Sequence, residues 1–306
     1  MKHSLPILLV DAFTDIPLTG NSAGVVVAAD GLSDVQMQQI AREMAVSETA
    51  FVLSPPNPAS DLWIRWFTPS NEVPLCGHAT IASFHALAEA NLRGIEAAGT
   101  YTFRLLTKSG ILPVVAEKGK KETMVRFGLP LPEFQRAGQH KLDLMHILGV
   151  EQEALEQHLP IVEAEYLYVP VRRLHTLFSL KPNLFALSQF LTNRKYGGVC
   201  VFTTETVDNN SAVHSRFFAP HQGINEDPVT GSANGPLGVY LFEQGVIEPA
   251  GDTLVLIGEQ GDVLGRRGRV TIRLGVRDNR AVSVDIEGRA VTVLKGDLVL
   301  APRRSR

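Results

Sequence analysis

A carboxylate with the potential to move a proton lies at a predicted boundary between two elements near the start of the chain. Glu48 stands where an amphipathic helix gives way to a strand over residues 49–53. A carboxylate held in a mostly apolar cleft has a raised proton affinity, so Glu48 could accept a proton from carbon near neutral pH as a general base. A solvated surface glutamate or a helix cap would show the same local pattern.

A thiol and an imidazole follow at a second boundary, where Cys76, Gly77 and His78 precede an apolar helix. His78 could donate a hydrogen bond to substrate or shuttle a proton, or it could only cap the helix. Cys76 at a helix N-terminus would have a lowered pKa and could act as a nucleophile or an acid/base thiol, or it could be inert and buried. His85 lies two turns further on, and a metal-binding pair prefers a spacing of i, i+4, so no metal site is predicted.

A similar polar group precedes a second apolar helix late in the chain, with Asp227, Thr230, Gly231 and Ser232 in sequence order. These side chains could bind a substrate, but Asp and Ser near a helix start are also common caps. The glycine-rich stretch over residues 231–238 lacks the Lys-Ser/Thr of a phosphate loop. Nucleotide binding is therefore a weak alternative.

Two helices must position these groups. The first, predicted over residues 78–92, carries apolar side chains nearly all round and is therefore expected to be buried, and the second is predicted over residues 232–244. The N-terminus of a buried helix presents N–H groups that need acceptors, and its dipole favours negative charge. If both N-termini faced one another across a domain interface, they would form a concave site suited to a carboxylate or an enolate.

A short sequence pattern that occurs twice suggests that the chain consists of two related halves. The pattern Arg-aromatic-Phe-x-Pro at residues 65–69 returns at residues 216–220, and each copy leads through a polar loop to a glycine-containing helix start. Coincidence could produce the short match alone, but the shared context and the half-chain spacing favour a duplication. Pro236 in the second helix is tolerable if it lies in the first turn.

The composition of the chain limits the kinds of binding partner and the cellular compartment that we expect. The 306 residues are long enough for two ordinary domains, and the charges nearly balance at a net −3, which argues against nucleic acid or an anionic membrane as a partner. Two cysteines form no disulfide framework, so a reducing compartment is expected, with the cytoplasm as the default. No apolar run is long enough to span a membrane.

Motifs spread in order along the whole chain resemble those of the PhzF-like (phenazine biosynthesis protein) family. They are residues 11–14 (DAFT), 20–21 (GN), 47–52 (SETAFV), 65–69 (RWFTP), 76–80 (CGHAT) and 226–233 (EDPVTGSA). The resemblance implies an α+β, diaminopimelate-epimerase-like fold with two pseudo-symmetric domains, each a barrel-like, mainly antiparallel sheet around a central helix. It also implies an active site between the domains, a homodimer, and a C-terminal segment that returns to the first domain. The corresponding domains are residues 1–117 with 281–306, and residues 118–280.

The same resemblance implies an activity and its residues. The phenazine enzyme isomerises a dihydro-hydroxyanthranilate by cofactor-independent proton transfer with a glutamate as acid/base, and Glu48 matches that glutamate. His78, Asp227 and Ser232 match the other polar positions of that site, which implies that His78 and Asp227 are catalytic. Substrate-binding residues are then expected at Gly77, Gly231, Ser232, Cys76 and Thr230. Related epimerases use two thiols, whereas this chain has Cys76 at the first place and Thr230 at the second.

Three hypotheses follow. The first is an isomerase that moves a proton on a small carboxylate-bearing substrate through Glu48. The second is an epimerase or racemase that depends on Cys76. The third is a non-catalytic binder of a small anion, which kept the pocket and lost the reaction.

Overall fold

The chain folds as two units, which a computed structural model describes over residues 3–138 and 140–300. Unit 1 comprises Met1–Gly128 and Gly288–Arg306, and unit 2 comprises Leu129–Glu287. The sequence places the divisions near residues 117 and 281 instead. The difference arises because residues 123–127 pair with the strand before them in unit 1, and residues 280–287 pair with the strand before them in unit 2. Residues 301–306 lie outside the described part of the chain.

Strands dominate the elements, which we number in chain order. The first half contains β1 (His3–Ala12), β2 (Asn21–Val26), α1 (Asp34–Met44), β3 (Glu48–Leu53), β4 (Leu62–Phe67), β5 (Glu72–Val73), α2 (Gly77–Glu89), β6 (Gly99–Thr107), β7 (Gly110–Lys118) and β8 (Thr123–Leu129). The second half begins with β9 (Gln135–Arg136), α3 (Lys141–Leu148), β10 (Val162–Glu163), β11 (Leu167–Pro170), α4 (Leu174–Ser179), α5 (Leu184–Arg194), β12 (Val199–Thr203) and β13 (Val213–Ala219). It ends with β14 (Ile224–Asp227), α6 (Gly231–Glu243), β15 (Thr253–Gln260), β16 (Gly268–Arg277), β17 (Arg280–Gly288) and β18 (Ala290–Leu300).

Strand pairing is the same in both units. In unit 1, β2 runs parallel to β3, β3 antiparallel to β4, β4 parallel to β6, and β6 antiparallel to β7. In unit 2, β11 and β12, β12 and β13, β13 and β15, and β15 and β16 repeat these four pairings in the same order and sense. The two copies of the Arg-aromatic-Phe pattern fall on β4 and β13, which are equivalent strands. The α+β class with two pseudo-symmetric halves is thereby confirmed.

Helix α1 forms where the sequence predicts it. Ser33 accepts a hydrogen bond from the Gln36 backbone N–H, and the Gln36 side chain accepts one from the Ser33 backbone N–H, which completes a capping box. Met37, Ile40 and Ala41 are buried on the inner face of the helix. This spacing of three and four residues places the apolar side chains against the sheet of unit 1.

Helix α2 is the central helix of unit 1 and packs against β1, β2, β3 and β18. Its side chains are buried on nearly all sides, as its composition predicts. The predicted end at residue 92 is wrong, because the helix stops at Glu89. Asn91, Arg93 and Gly94 have φ values of 54°, 56° and 88°, and these left-handed conformations do not continue an α-helix. The Leu92 N–H donates back to the carbonyl of Leu87, which closes the helix end.

Helix α6 occupies the equivalent place in unit 2 and packs against β15 and β16. A Cβ atom added to Gly238 would lie 2.6 Å from Ile272 Cγ2, so the helix approaches β16 too closely for a larger side chain. Pro236 lies in the second turn, not in the first as the sequence argument requires. Because proline has no N–H, it donates no helical hydrogen bond to the Ser232 carbonyl. The surrounding core, which includes Leu237 and Tyr240, holds the helix despite that loss.

An arginine–glutamate pair recurs before both central helices. Arg65 on β4 binds Glu72 on β5 with two hydrogen bonds of 2.8 Å, and Arg216 on β13 binds Glu226 on β14 in the same bidentate way. Each guanidinium also lies over the ring of the phenylalanine two residues later, at 5.1 Å and 5.0 Å from the ring centroid. The pair fixes the strand that leads into the start of each central helix.

Among the described residues, no helix has the length and apolar character that crossing a membrane requires.

Candidate functional site

Glu48 is the first residue of β3, and the parallel pairing of β3 with β2 places it opposite Ala23. Only 9% of the residue is exposed, and its Oε2 atom has no hydrogen-bond partner in the part of the chain that the structure describes. Burial raises the pKa of the carboxyl group above that of an ordinary glutamate, although hydrogen bonds with Ser47 and Cys76 oppose the shift. Glu48 is therefore a buried carboxylate with an increased affinity for a proton.

His78 lies beside this carboxylate, at the second residue of α2. Its Nε2 atom is 3.4 Å from Glu48 Oε2 and 3.3 Å from Ser47 Oγ. Its Nδ1 atom is 3.4 Å from Asn21 Nδ2 and 3.5 Å from Cys76 Sγ. The ring is buried, and these contacts fix its plane between the start of β3 and the start of α2. A proton held by Glu48 thus lies within reach of a second group that can take it up or donate one.

Cys76 is the N-cap residue of α2 and makes no side-chain capping bond. Its backbone carbonyl accepts hydrogen bonds from the Thr80 hydroxyl at 2.7 Å and the Thr80 N–H at 3.0 Å. Its thiol consequently points to the same cluster as His78 rather than to the helix. Gly77, the first helical residue, has no side chain to cover this positively polarised end of the helix.

The equivalent helix start in unit 2 is organised differently. Thr230 is the N-cap of α6, and its hydroxyl donates a hydrogen bond to Asp227 Oδ2. Gln260 on β15 braces both residues: its Oε1 accepts the Thr230 N–H at 3.0 Å and its Nε2 donates to the Asp227 carbonyl at 2.8 Å. Asn234 donates to the same Gln260 oxygen at 2.9 Å. These bonds hold the start of α6 in place.

Ser232 contacts a residue that sequence reasoning missed. Its Oγ lies 3.0 Å from the hydroxyl of Tyr166. Burial raises the pKa of Tyr166 well above its usual range, so the phenol stays protonated and can donate to Ser232. Gly231, immediately before Ser232, is the first helical residue and is buried.

The structure therefore gathers the predicted site residues in two groups, one in each unit. Glu48, Cys76, Gly77 and His78 lie together in unit 1, and Asp227, Thr230, Gly231 and Ser232 lie together in unit 2. Sequence reasoning missed the residues that support them. Asn21 and Ser47 lie within the motifs quoted above, so the sequence could have pointed to them. Tyr166 and Gln260 have no local sequence signal.

The unit 1 group also has the composition of a metal-binding site. The ligand atoms of Glu48, Cys76 and His78 all lie within 4.8 Å of one another. The predicted absence of a metal rested on the spacing between His78 and His85, and His85 is not part of this group. A hydrogen-bonded acid–base cluster and a metal site use the same side-chain types, so the geometry is compatible with both.

Comparison with known proteins gives consistent relatives. A family model described as "Phenazine biosynthesis-like protein" matches residues 10–296. The chain is 39% identical over 297 residues to an uncharacterized isomerase of Clostridium acetobutylicum, covering 95% of this chain and 97% of the relative. It is 32% identical over 298 residues to the trans-2,3-dihydro-3-hydroxyanthranilate isomerase of Pseudomonas chlororaphis, covering 96% of this chain and 99% of that protein. The crystal structure of a PhzF-family protein from Bacillus anthracis superposes with a TM-score of 0.86 at 32% identity, covering 97% of this chain and all of that one (100%).

Proposed function

Because the chain belongs to the phenazine biosynthesis-like (PhzC-PhzF) protein family, we propose that it is an isomerase that moves a proton between carbon atoms of a small carboxylate-bearing substrate. The family resemblance identified from the motifs is confirmed by the match over residues 10–296. The enzyme class agrees with the names of the relatives, several of which are called isomerases. The anthranilate derivative in one of those names carries a carboxylate, which supports this class of substrate.

The environment of Glu48 is the observation that carries the proposal. A general base works best when its pKa lies near the operating pH, and burial moves the pKa of this carboxyl group upward from the ordinary value of 4.5. In this proposal Glu48 removes a proton from one carbon atom and returns it to another. Because the acid and the base are the same side chain, the cycle needs no external cofactor.

The neighbouring groups stabilise the charge that proton removal creates. As the carbon–hydrogen bond breaks, negative charge develops on the substrate, and the start of α2 at Gly77 offers backbone N–H groups and a positive dipole to it. His78 orients the Glu48 carboxylate and can donate a hydrogen bond to the substrate. We assign Asp227 to the catalytic residues, with Glu48 and His78, and Thr230, Gly231 and Ser232 to substrate binding, in a cytoplasmic homodimer.

A deuterium-exchange experiment tests the role of Glu48. The protein is incubated in heavy water with a panel of cyclic and acyclic carboxylates, including trans-2,3-dihydro-3-hydroxyanthranilate, and deuterium at carbon is followed by mass spectrometry and NMR. We expect Glu48→Gln to lower the exchange rate about 10²–10⁴-fold, the usual contribution of general acid–base catalysis. Glu43→Gln makes the same chemical change at an exposed position and should exchange like the wild type.

Two results would change this assignment. Exchange by Glu48→Gln at the wild-type rate would remove Glu48 from the proton transfer. If carboxylates stabilise the protein against heat but no carbon-bound deuterium appears with any of them, the chain is a small-anion binder rather than an isomerase.

The second candidate is an epimerase that depends on Cys76. The proximity of its thiol to His78, with Sγ 3.5 Å from Nδ1, favours this candidate. Against it, the equivalent position in unit 2 is Thr230, whose hydroxyl donates to Asp227, so a pair of thiols is absent at the two helix starts. Inversion of a chiral substrate that is lost in Cys76→Ser and retained in Cys200→Ala would establish the epimerase, and full turnover by Cys76→Ser would eliminate it.

A further inference from the structure

We propose that Glu48, Cys76 and His78 form a binding site for Zn²⁺, which inhibits the protein by occupying its proton-transfer group. The three side chains come from the start of β3, the N-cap of α2 and the first turn of α2. They offer a carboxylate, a thiolate and an imidazole, and all three are common ligands of Zn²⁺ in proteins. All three residues are buried.

The distances agree with those of a tetrahedral zinc site. Bond lengths of about 2.3 Å to sulfur and about 2.0–2.2 Å to nitrogen and oxygen place tetrahedral nitrogen and oxygen ligands ~3.4 Å apart, and sulfur and nitrogen ligands ~3.6 Å apart. Nε2 of His78 lies 3.4 Å from Oε2 of Glu48 and 4.0 Å from Sγ of Cys76. The first edge already has the required length, whereas the second is a few tenths of an ångström longer than required, so the Cys76 thiol must move towards Nε2 when the metal binds.

An unsatisfied oxygen points to a ligand at this position. The Glu48 side chain is 11% exposed, and its Oε2 atom makes no hydrogen bond among the described residues, although Nε2 of His78 lies 3.4 Å from it. A buried carboxylate oxygen without a donor is costly, and a cation bound there would satisfy it.

Binding of Zn²⁺ exchanges the metal ion for the proton of one thiol. The Cys76 thiol loses its proton to solvent as the sulfur–zinc bond forms, His78 binds in its neutral form through Nε2, and Glu48 binds as the carboxylate. No oxidant or reductant is required. A carboxylate bound to Zn²⁺ is a weaker base because the cation withdraws electron density from both of its oxygens, so bound Zn²⁺ should suppress the proposed proton transfer.

The metal site can be tested without measuring turnover. The zinc proposal can therefore fail while the isomerase proposal stands, and the reverse. Untagged protein is titrated with Co²⁺, a spectroscopic substitute for Zn²⁺, and the thiolate-to-cobalt charge-transfer absorption is recorded. Zn²⁺ affinity is then measured by its displacement of Co²⁺ and by calorimetry, which also reports the released proton. We expect one metal ion per chain.

Matched variants identify the ligands. Cys76→Ser should abolish the charge-transfer absorption, and both Cys76→Ser and His78→Gln should weaken Zn²⁺ binding at least about 10–100-fold, the loss that even an outer-shell change produces. Cys200→Ala removes the other cysteine, and His146→Gln removes an exposed histidine of α3, so both should bind like the wild type. Circular dichroism of each variant verifies the fold before titration.

The outcomes are distinct. A single site that is lost with Cys76 and with His78 supports the proposal, whether or not a substrate is ever found. Wild-type protein that shows no thiolate band, or a folded Cys76→Ser variant that binds Zn²⁺ as tightly as the wild type, overturns it. If activity is detected, Zn²⁺ should abolish it and a chelator should restore it, and full activity with the metal bound would overturn the inhibitory role.

Discussion

Loss of Arg216 should destabilise the protein more than loss of its counterpart in unit 1, Arg65. The Arg216 side chain is 6% exposed, and besides its two bonds to Glu226 it donates to the carbonyls of Leu177 at 2.9 Å and Leu180 at 3.0 Å. Arg216→Met keeps the length of the side chain but leaves the Glu226 carboxylate, whose side chain is only 14% exposed, without its cation. Breaking a buried pair in this way costs about 3–5 kcal/mol.

Arg65→Met should cost less because another cation remains. Lys108 lies 2.6 Å from Glu72 Oε2, so the carboxylate keeps a positive partner when Arg65 is removed. The loss is then close to that of hydrogen bonds to a charged group, about 1.5–3 kcal/mol. We expect the two variants to differ by about 2 kcal/mol, the difference between the midpoints of these two ranges.

Urea unfolding measures this difference. With denaturant slopes of about 1–3 kcal/mol/M, a difference of about 2 kcal/mol separates the two midpoints by roughly 1 M. Far-ultraviolet circular dichroism reports on both units, whereas tryptophan fluorescence reports on β4 of unit 1 alone, since Trp63 and Trp66 are the two tryptophans of the chain. Arg104→Met breaks an exposed pair with Asp61 and should shift the midpoint little. If Arg65→Met destabilises as much as Arg216→Met or more, the argument from burial and the remaining lysine is refuted.

Three further outcomes are expected. The rate of deuterium exchange should fall as the pH is lowered through the raised pKa of Glu48, with its half-maximum above pH 4.5, and a pH-independent rate would contradict the role of this carboxylate. Burial alone would raise the pKa of Glu259, but hydrogen bonds led by that from His214 lower it from 4.5 to about 2. Its stabilising contribution is therefore present above pH 4.5 and is lost as the pH falls towards 2, so wild type and Glu259→Gln should differ in urea midpoint at pH 7 and converge in acid. A double-mutant cycle of Tyr166→Phe and Ser232→Ala should give a coupling of about 0.5–1.5 kcal/mol in unfolding, and additive effects would show that their hydrogen bond contributes nothing.

The elements with local signals were predictable from the sequence. Residues 62–67 are all apolar except Arg65 and end before Thr-Pro, and β4 has these bounds in the structure. Ser33 and Gln36 likewise mark the start of α1. By contrast, α5 was missed although Asn183 caps it and Leu187, Phe190 and Leu191 repeat at helical spacing. The end of α2 was also misplaced, because the left-handed conformations of Asn91 and Arg93 carry no strong sequence signal.

The candidate site was predictable only as a set of motifs. Glu48 and His78 are chemically suggestive in the sequence, but the 3.4 Å distance between them depends on the parallel pairing of β2 and β3 and on the packing of α2. Tyr166 contacts Ser232 from 66 residues away, and Gln260 contacts Thr230 from 30 residues away. Contacts of this kind are formed by tertiary packing, and no local periodicity reports them.

The antiparallel pairing of β1 with β18 constrains how the protein can be made. The first strand finds its final neighbour only at residues 290–300, so those residues must be synthesised before unit 1 can close, whereas Leu129–Glu287 leaves the ribosome as one continuous segment. At synthesis rates of about 5–20 residues per second, β1 waits roughly 15–60 s with one edge unpaired. During that interval the nascent chain exposes a hydrogen-bonding edge to other chains. Shortening the C-terminus into β18 should therefore increase aggregation of newly made protein, even though every residue near Glu48 and His78 is retained.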